Sequence, residues 1–420
     1  MREENRSALF AWALYDWAGA PFTTLVLTFV LPVYFAQAVV GDAAKGQALW
    51  SAAVALSGLA IAVASPIMGV FADAGGRNKL WLLGASAICI AATAAFWFVE
   101  PSPRFQLLAM ALIAVGNFAY VSSVVFNNAM LPELTSRERV GRWSGWAWGL
   151  GYIGGLLALL AMLALFLTEG RPWLGLDRAT YEHVRIAGPF AALWFAIFSW
   201  PRFLWTPDRR PSRESGMAAG LQRLRAALAE LLHKRDVLRF LIANMLYSDA
   251  LAAVFTVGGI YAAGAFGMSL GEVTRFAIAL NVAAGLGAFA FSWLDDWIGP
   301  RRTILLALAG LLISGAAAVL VAARLWFWIA GCGLGLFVGP AQSASRSFIA
   351  RMAPGGRETE YFGLFALSGK ATAFFGPLVV ALSTWLSGSQ RVGLASLLVL
   401  IAAGAGVLWH VDEARATARL

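Results

Sequence analysis

Charged residues are scarce in this sequence: Asp, Glu, Lys and Arg make up 13% of its 420 residues, against about 25% in an ordinary soluble domain. Hydrophobic residues make up 60%, so we expect an integral membrane protein. Cysteine is also scarce, and Cys89 and Cys332 lie in separate apolar runs. Their positions predict small buried packing residues and indicate neither a disulfide nor a metal site.

The sequence has few groups suited to enzymatic chemistry. Its three histidines lie in loops or at helix edges, so any proton coupling inside the membrane must use carboxylates. We find no G-x-x-x-x-G-K-[ST] nucleotide-binding motif, no metal-ligand cluster and no nucleophile constellation. We therefore expect no cofactor, no bound metal, no enzymatic activity and no ATP-driven transport.

Long apolar runs make up most of the chain. Twelve of them are long enough to cross a bilayer as helices, and they cover residues 8–38, 48–72, 79–99, 105–131, 143–167, 187–206, 237–263, 271–294, 303–323, 325–350, 360–386 and 391–410. The predicted fold class is all-α, a polytopic membrane protein with twelve transmembrane helices in two six-helix bundles.

Basic residues are unevenly distributed between the loops. With the N-terminus in the cytoplasm, the segments on that side hold 20 Lys and Arg, whereas the opposite side holds 7. This asymmetry predicts that both termini are cytoplasmic. It also accounts for the net charge of +9, so we expect no nucleic-acid partner. Short loops, plain tails and the lack of an organellar leader favour a prokaryotic cell (inner) membrane.

One long polar stretch, residues 207–236, separates six spans from six. Its leucines recur at helical spacing among basic residues, which predicts an amphipathic helix on the inner leaflet; a regulatory partner site is the alternative. The predicted domains are an N-terminal bundle over 1–206, this linker over 207–236, and a C-terminal bundle over 237–420.

Two features recur in the two halves. Tyr15 and Asp16 lie in the first span, and Tyr247 and Asp249 lie in the seventh. An acidic residue, a glycine and basic residues follow the second span and again the eighth. Two similar halves are the construction from which alternating-access transporters are made.

The repeated loop has a physical use at a membrane surface. An aspartate at a helix end can pair with a nearby arginine and face the N-terminus of a neighbouring helix, so the contact can hold one arrangement and break in another. A positive-inside turn without a switching role is the alternative. The predicted switch-loop residues are Gly69, Asp73, Gly76, Arg77, Asp296 and Arg301.

The first loop, G-x-x-x-D-x-x-G-R-x-K, resembles the signature loop of the major facilitator superfamily. In the second copy Ser292 replaces the first glycine and Pro300 the arginine. Longer stretches, at 15–18, 126–134, 144–155, 342–354 and 360–370, resemble the branch related to the fungal vacuolar amino-acid effluxers. For the fungal members the resemblance implies export of amino acids from the vacuole.

Charges inside a bilayer cost several kcal/mol unless they are paired or hydrated, so they mark candidate sites. Asp249 and Lys370 have similar predicted depths, and the resemblance implies that their helices are neighbours, so the two could form a buried ion pair. Asp16 could instead be a gate charge, and Arg346 a snorkelled or loop-pairing residue. The candidate substrate or proton-coupling residues are Asp16, Asp249, Lys370, Tyr15, Tyr247, Asn128, Gln342 and Arg346; static interhelical contacts are the alternative for each.

The leading hypothesis is a secondary active transporter that moves a small polar solute, an amino acid or a related metabolite, by rocker-switch alternating access. Coupling to protons through membrane carboxylates is an open option. The expected partners are the solute, the lipid bilayer and protons, and we expect a monomer. One alternative is a translocase or efflux pump for lipids or amphipathic compounds. Another is a non-transporting membrane scaffold or sensor that uses the basic linker.

Overall fold

The computed structural model describes residues 5–75, 78–167, 173–207, 234–268, 270–372 and 375–417. Within these ranges the chain is helical without any strand, and twelve helices are long and apolar enough to cross a membrane. The prediction of an all-α polytopic fold with twelve spans is therefore confirmed. The cytoplasmic placement of the termini stays a prediction.

The helices begin and end where the sequence changes from apolar to polar or turn-forming residues. Gly267 ends the seventh span with a φ of 59°, a conformation that glycine adopts without strain. The first six spans are α1 (Arg6–Pro21), α2 (Ala43–Gly75), α3 (Asn78–Ala94), α4 (Gln106–Asn128), α5 (Val140–Met162) and α6 (Ala187–Trp205). The next are α7 (Arg235–Phe266), α8 (Leu270–Ile298), α9 (Pro300–Leu320), α10 (Arg324–Met352), α11 (Glu358–Lys370 and Phe375–Ser387) and α12 (Gln390–Trp409), followed by the short α13 (Glu413–Thr417).

Two spans differ from the continuous helices that we predicted. After α1 the chain continues through two π-helical stretches, Phe22–Phe29 and Phe35–Val40, with a short α-helix between them. Prolines at 21 and 32 cannot donate the hydrogen bonds of a regular α-helix there. The eleventh span consists of two helices, and its first part ends at Lys370. The break therefore lies inside the stretch predicted as one helix.

The chain forms two compact units whose residues interleave along the sequence. Unit 1 comprises Met1–Ile61, Gly76–Asn127 and Leu150–Arg210, and unit 2 comprises Ala62–Gly75, Asn128–Gly149 and Pro211–Leu420. The predicted domains group the helices by sequence halves, and that division stays a prediction. The predicted amphipathic helix of the linker falls mostly on residues 208–233, which lie outside the described residues.

Aromatic side chains fill the core of unit 1. Tyr15 meets the edge of Phe195 with their ring centroids 5.4 Å apart, and Trp17 stacks on Trp194 at 5.7 Å. Both contacts join α1 to α6. Such aromatic pairs contribute about 0.5–1.5 kcal/mol each beyond their buried area.

Glycines determine the core of unit 2, where α8 packs on α10. A Cβ atom on Gly335 of α10 would lie 2.5 Å from the carbonyl oxygen of Leu280 on α8. A Cβ on Gly339 would press in the same way on the carbonyl of Ala284, and one on Gly287 of α8 on the carbonyl of Leu336. Larger residues would force the helices apart, so these glycines fix a close backbone contact.

Candidate functional site

The first switch-loop aspartate caps a helix. Asp73 lies at the end of α2, where its Oδ2 accepts a hydrogen bond from the backbone N–H of Glu360 at 2.9 Å and its Oδ1 one from Thr359 at 3.3 Å. These are the third and second residues of α11, whose N–H groups have no partner within the helix. A negative charge at this end also interacts favourably with the helix dipole.

Close packing makes this cap possible. A Cβ on Gly69, one turn before Asp73, would lie 2.6 Å from the carbonyl oxygen of Thr359. Glycine at this position therefore lets α2 approach the start of α11. The other two predicted residues of this loop, Gly76 and Arg77, lie outside the described residues.

The second switch-loop aspartate does the same for another helix. Asp296, near the end of α8, accepts a hydrogen bond through Oδ1 from the backbone N–H of Arg142 at 3.2 Å. Arg142 is the third residue of α5, just as Glu360 is the third residue of α11. Each copy of the repeated loop thus caps the N-terminus of a helix that starts elsewhere in the chain.

Arg301 does not pair with Asp296, contrary to the pairing that we considered for this loop. Its guanidinium instead donates hydrogen bonds to the backbone carbonyls of Leu408, at 3.4 Å, and Trp409, at the end of α12. Those carbonyls have no intrahelical donor, and a cation is favourable at a helix C-terminus. Asp296 interacts with arginines from other helices.

We define the charge cluster as Asp295, Asp296, Arg142, Arg351 and Glu413. The terminal nitrogen Nη2 of Arg351 on α10 lies 3.2 Å from Oδ1 of Asp295 and 3.3 Å from Oδ1 of Asp296. The Nε atom of Arg142 lies 3.6 Å from Oδ2 of Asp296. Glu413 on α13 interacts electrostatically with Arg351 and accepts a hydrogen bond from the backbone N–H of Arg301. All five residues belong to unit 2.

Asp295 was absent from the sequence-based list, although it is the most deeply buried acid of the charge cluster, with 2% of its surface exposed. The one signal in the sequence was a second aspartate directly before the motif residue. We assigned only the residue that matched the motif. Arg351, the ion-pair partner of both aspartates, directly follows the apolar run predicted as the tenth span. In the sequence it therefore resembles an ordinary basic loop residue.

Arg346 precedes Arg351 on α10, further from the end of that helix, and is 3% exposed. Its Nε donates to Oγ of Ser144 at 2.9 Å, its Nη2 to the carbonyl of Ser144 at 2.5 Å, and its Nη1 to Oδ1 of Asn128 at 3.3 Å. The guanidinium also lies over the ring of Trp148, 5.7 Å from its centroid. Two predicted site residues, Arg346 and Asn128, are thus brought together in an interhelical contact.

The other predicted polar residues lie in separate places. Gln342 is half-buried on α10, one turn before Arg346. The hydroxyl of Tyr15 lies 2.8 Å from Oγ of Ser86 on α3, and that of Tyr247 lies 2.6 Å from Oγ of Ser345 on α10. Both tyrosines are buried, which agrees with the static interhelical alternative. Asp16 is half-buried beside Gly151 of α5.

Asp249 lies near the middle of α7 and is 3% exposed. Its Oδ2 accepts a hydrogen bond from the backbone N–H of Gly376 at 2.7 Å, at the start of the second part of α11. Its Oδ1 has no hydrogen-bond partner among the described residues. A Cβ on Gly376 would lie 2.9 Å from the carbonyl of Asp249, so a glycine permits this approach. Gly376 is not among the predicted site residues; the signal that could have pointed to it is Pro377, directly after it, because proline is tolerated in the first turn of a helix.

Lys370 is the last residue of the first part of α11 and is half-buried. Among the described residues no ion pair joins it to Asp249, so the pairing that we considered is not found there. Helix dipoles explain why both charges can remain in the span. A cation is favourable at a helix C-terminus and an anion at a helix N-terminus. Lys370 is at the C-terminus of the first part of α11, and Asp249 contacts the first turn of the second part.

Comparisons with known proteins agree with this architecture. Residues 39–419 match the family described as "Vacuole effluxer Atg22 like". The chain belongs to this family. The chain is 24% identical over 412 residues to YxiO of Bacillus subtilis (strain 168), named an uncharacterized MFS-type transporter, and the match covers 97% of this chain and 95% of that protein.

A fungal relative of the Atg22-like chain is Autophagy-related protein 22 of Coccidioides immitis (strain RS), 24% identical over 434 residues, covering 84% of this chain and 70% of the relative. Among solved structures, the human organic anion transporter MFSD10 (TETRAN) superposes with a TM-score of 0.74 at 16% identity, covering 97% of this chain and all of that one. The Atg22-like chain therefore has the major facilitator fold and is a multi-pass membrane transporter.

Proposed function

We propose that this Atg22-like protein is a secondary active transporter that moves a small polar solute, an amino acid or a related metabolite, across the cell (inner) membrane by rocker-switch alternating access. We also propose that membrane carboxylates couple transport to protons, that the protein works as a monomer, and that its functional halves are residues 1–206 and 237–420, joined by the linker over 207–236.

The observation that best supports this proposal is the break in α11 beside Asp249. A carboxylate with one unused oxygen lies next to one helix end, and the cation of Lys370 occupies the other end of the break. An amino acid carries an ammonium group and a carboxylate, which complement these two charges. Discontinuous helices at mid-membrane depth form binding sites in several transporter folds.

Alternating access also needs contacts that can break at one membrane face. The caps formed by Asp73 and Asp296 supply such contacts, because each is a short set of hydrogen bonds between separate helices. Losing them requires no unfolding of either helix. The export direction is supported by the family name alone.

The test is transport by the purified protein in proteoliposomes, with amino acids, sugars, nucleosides and a fluorescent phospholipid as cargo, with and without a pH gradient. We expect amino-acid movement that the gradient accelerates. Asp249→Asn and Lys370→Ala should each reduce it by about tenfold or more, which corresponds to one lost charge-assisted interaction. Asp177→Asn, an exposed loop carboxylate, is the matched control and should transport normally.

Movement of the phospholipid alone, with Asp249→Asn indistinguishable from the unmodified protein, would overturn the proposal in favour of the lipid translocase. The non-transporting scaffold or sensor would be favoured by a different result. In that case no cargo moves in proteoliposomes, and deleting the linker over 207–236 produces the same defect in cells as deleting the whole protein.

A further inference from the structure

Asp295 has only a share of one counter-ion in the charge cluster. The guanidinium of Arg351 lies within ion-pair distance of both Asp295 and Asp296, and Arg142 pairs with Asp296. Two further bases nearby, Arg301 and Arg302, interact with Glu413. A buried carboxylate with so little compensating charge is unfavourable, and a bound proton is the simplest compensation.

Asp295 is the member of the cluster that is least able to remain ionised. Neither of its oxygens accepts a hydrogen bond of ordinary geometry from a described residue; its polar contacts are the guanidinium of Arg351 at 3.2 Å and the hydroxyl of Ser347. The backbone of Gly141 on α5 presses against the carboxyl group, since a Cβ at Gly141 would lie 2.5 Å from Cγ of Asp295. There is no space for a water molecule on that side. The hydrogen bonds that normally stabilise a buried carboxylate are thus missing on both oxygens.

A neighbouring hydroxyl completes the arrangement. Ser347 on α10 is fully buried, and its side chain interacts with the Asp295 carboxyl group, although its Oγ makes no hydrogen bond of ordinary geometry to a described residue. A carboxylic acid can donate a hydrogen bond, whereas a carboxylate can only accept one. A protonated Asp295 could therefore donate a hydrogen bond to Oγ of Ser347, which would give both the carboxyl group and the hydroxyl a hydrogen-bond partner.

We propose that Asp295 is a proton-binding site, protonated while α5 covers it and deprotonated when α5 moves away and water reaches it. This inference rests on the proposed transport function and identifies the group through which one membrane face responds to protons. It differs from the candidates Asp16 and Asp249 in position, because Asp295 lies near the end of its span, beside the cap that Asp296 provides for α5. The proton is bound from and released to the face that carries the charge cluster, the predicted cytoplasmic face.

The direction of the pH effect follows from linkage. The covered arrangement binds the proton more tightly than the uncovered one, so acid stabilises the contact between α5 and α8 and alkali weakens it. For one proton the ratio of covered to uncovered protein can change by up to about tenfold per pH unit.

Other ionisable groups face this site and are part of the test. Arg351 approaches from α10, Arg142 from α5 and Asp296 from α8 itself. Glu413 approaches from α13, with Arg301 and Arg302 of α9 beside it. The turn Arg137–Arg139 contributes two arginines and Glu138 close to α8 and Arg351. Burial raises the pKa of Glu413, so Glu413 is the competing source of a pH response.

The experiment uses a single-cysteine reporter in the full-length protein, with Cys89 and Cys332 changed to serine. Ser292→Cys places the reporter on α8 where α5 packs against it, and Ser292 is 1% exposed. Its labelling by a maleimide in proteoliposomes measures how often α5 leaves α8. We expect the rate to rise with pH, by up to about tenfold per unit, and we expect Asp295→Asn, a mimic of the protonated acid, to make it low and independent of pH.

Three controls separate the possible causes. Ser387→Cys, an exposed position in α11, corrects for the pH dependence of the thiol reaction itself. Asp296→Asn should raise labelling at every pH while leaving the pH response in place. Glu413→Gln should also retain the response. Asp295→Gly is avoided, because it would open a cavity.

A pH response that persists in Asp295→Asn, or that disappears in Glu413→Gln, would overturn the inference. So would labelling of the unmodified reporter that does not change with pH after correction. None of these outcomes depends on a transported solute, so they are independent of the proteoliposome assay. Transport of an amino acid without a pH response at Asp295 would leave the proposed function intact and refute the proton site. A pH response at Asp295 without transport of any solute would support the proton site and refute the proposed function.

Discussion

The two copies of the repeated loop perform the same structural task with different supporting interactions. Asp73 and Asp296 each donate no hydrogen bonds but accept them from the N–H groups at the second or third residue of a helix, α11 in one case and α5 in the other. The approach of Asp73 depends on Gly69, whereas the equivalent position before Asp296 is Ser292. Asp296 in turn has two arginines within ion-pair distance.

This difference indicates which part of the repeated motif is essential. The shared element is an aspartate one turn after a small residue at the end of a helix, and it serves to cap a helix from elsewhere in the chain. The basic residue of the second copy, Arg301, donates to the carbonyls at the end of α12 rather than to Asp296.

The largest effect should come from Arg351→Ala. The substitution leaves Asp295 and Asp296 buried without their common counter-ion, and removing one partner of a buried ion pair costs about 3–5 kcal/mol. We expect a lower thermal unfolding temperature in detergent and faster labelling of the Ser292→Cys reporter. The control Arg275→Ala, an exposed arginine near the other end of α8, should change the free energy of unfolding by less than about 0.5 kcal/mol. Equal effects of the two variants would contradict the importance of the cluster.

The next largest effect distinguishes the two small residues. Gly69→Ala places a methyl group 2.6 Å from the carbonyl of Thr359, and overpacking of this kind costs about 1–3 kcal/mol. Ser292→Ala removes only a hydroxyl that donates to the carbonyl of Phe289 within its own helix, and it should be nearly neutral. Thermal unfolding of the two variants side by side measures the difference. If Ser292→Ala proved the more harmful, the two positions would not be equivalent.

A smaller effect is expected from Asp73→Asn. The amide keeps an acceptor for the N–H of Glu360 but loses the charge at the N-terminus of α11, which is worth about 0.3–2 kcal/mol. Hydrogen–deuterium exchange over Glu358–Lys370 should become faster by the corresponding factor. Asp296→Asn should accelerate exchange at the start of α5 more strongly, since it also loses contact with two guanidinium groups. Similar changes at both helices would mean that the arginines add little.

The smallest effect concerns Glu413 on α13. Burial raises the pKa of this carboxyl group, so the docked tail binds a proton more tightly than a free tail, and docking is strongest at low pH and weakens as pH rises through the raised value. Glu413→Gln should dock with nearly unchanged free energy and lose this dependence. Amide exchange in residues 411–417, corrected for intrinsic rates at each pH, reports it. Retention of the pH dependence in the variant would assign it to another group.

Hydropathy was sufficient to predict twelve membrane-spanning helices, because an apolar run is a one-dimensional feature that can be read directly from the sequence. Their arrangement as a major facilitator fold was predicted from the repeated loop and the family resemblance. The break after Lys370 could be read only in part, since Pro377 indicates a possible bend in this run but not where the first helix ends. The hydrogen bond from Gly376 to Asp249 joins two different helices, and a contact of this kind leaves no local pattern.

The candidate site was predictable in part for the same reason. Asp73 and Asp296 follow a recognisable motif, and their capping geometry is the one that the motif favours. Asp295 and Ser347 become interesting only when α5, α8 and α10 are packed together, since an unsatisfied group is defined by what surrounds it. The same holds for Arg346, whose partners on α4 and α5 are about 200 residues away in sequence.

The glycine contacts between α8 and α10 have a mechanical consequence. Because the backbones of the two helices are in close contact at several glycines, one helix cannot slide past the other without steric clash. We therefore expect α8 and α10 to move as one rigid unit. Asp295 and Arg351 both belong to this pair of helices, so they stay close to each other whether or not Asp295 holds a proton. Arg142 belongs to α5 and Asp296 to α8. In the rocker-switch cycle that we propose, the surface that opens at this face therefore lies between α5 and α8.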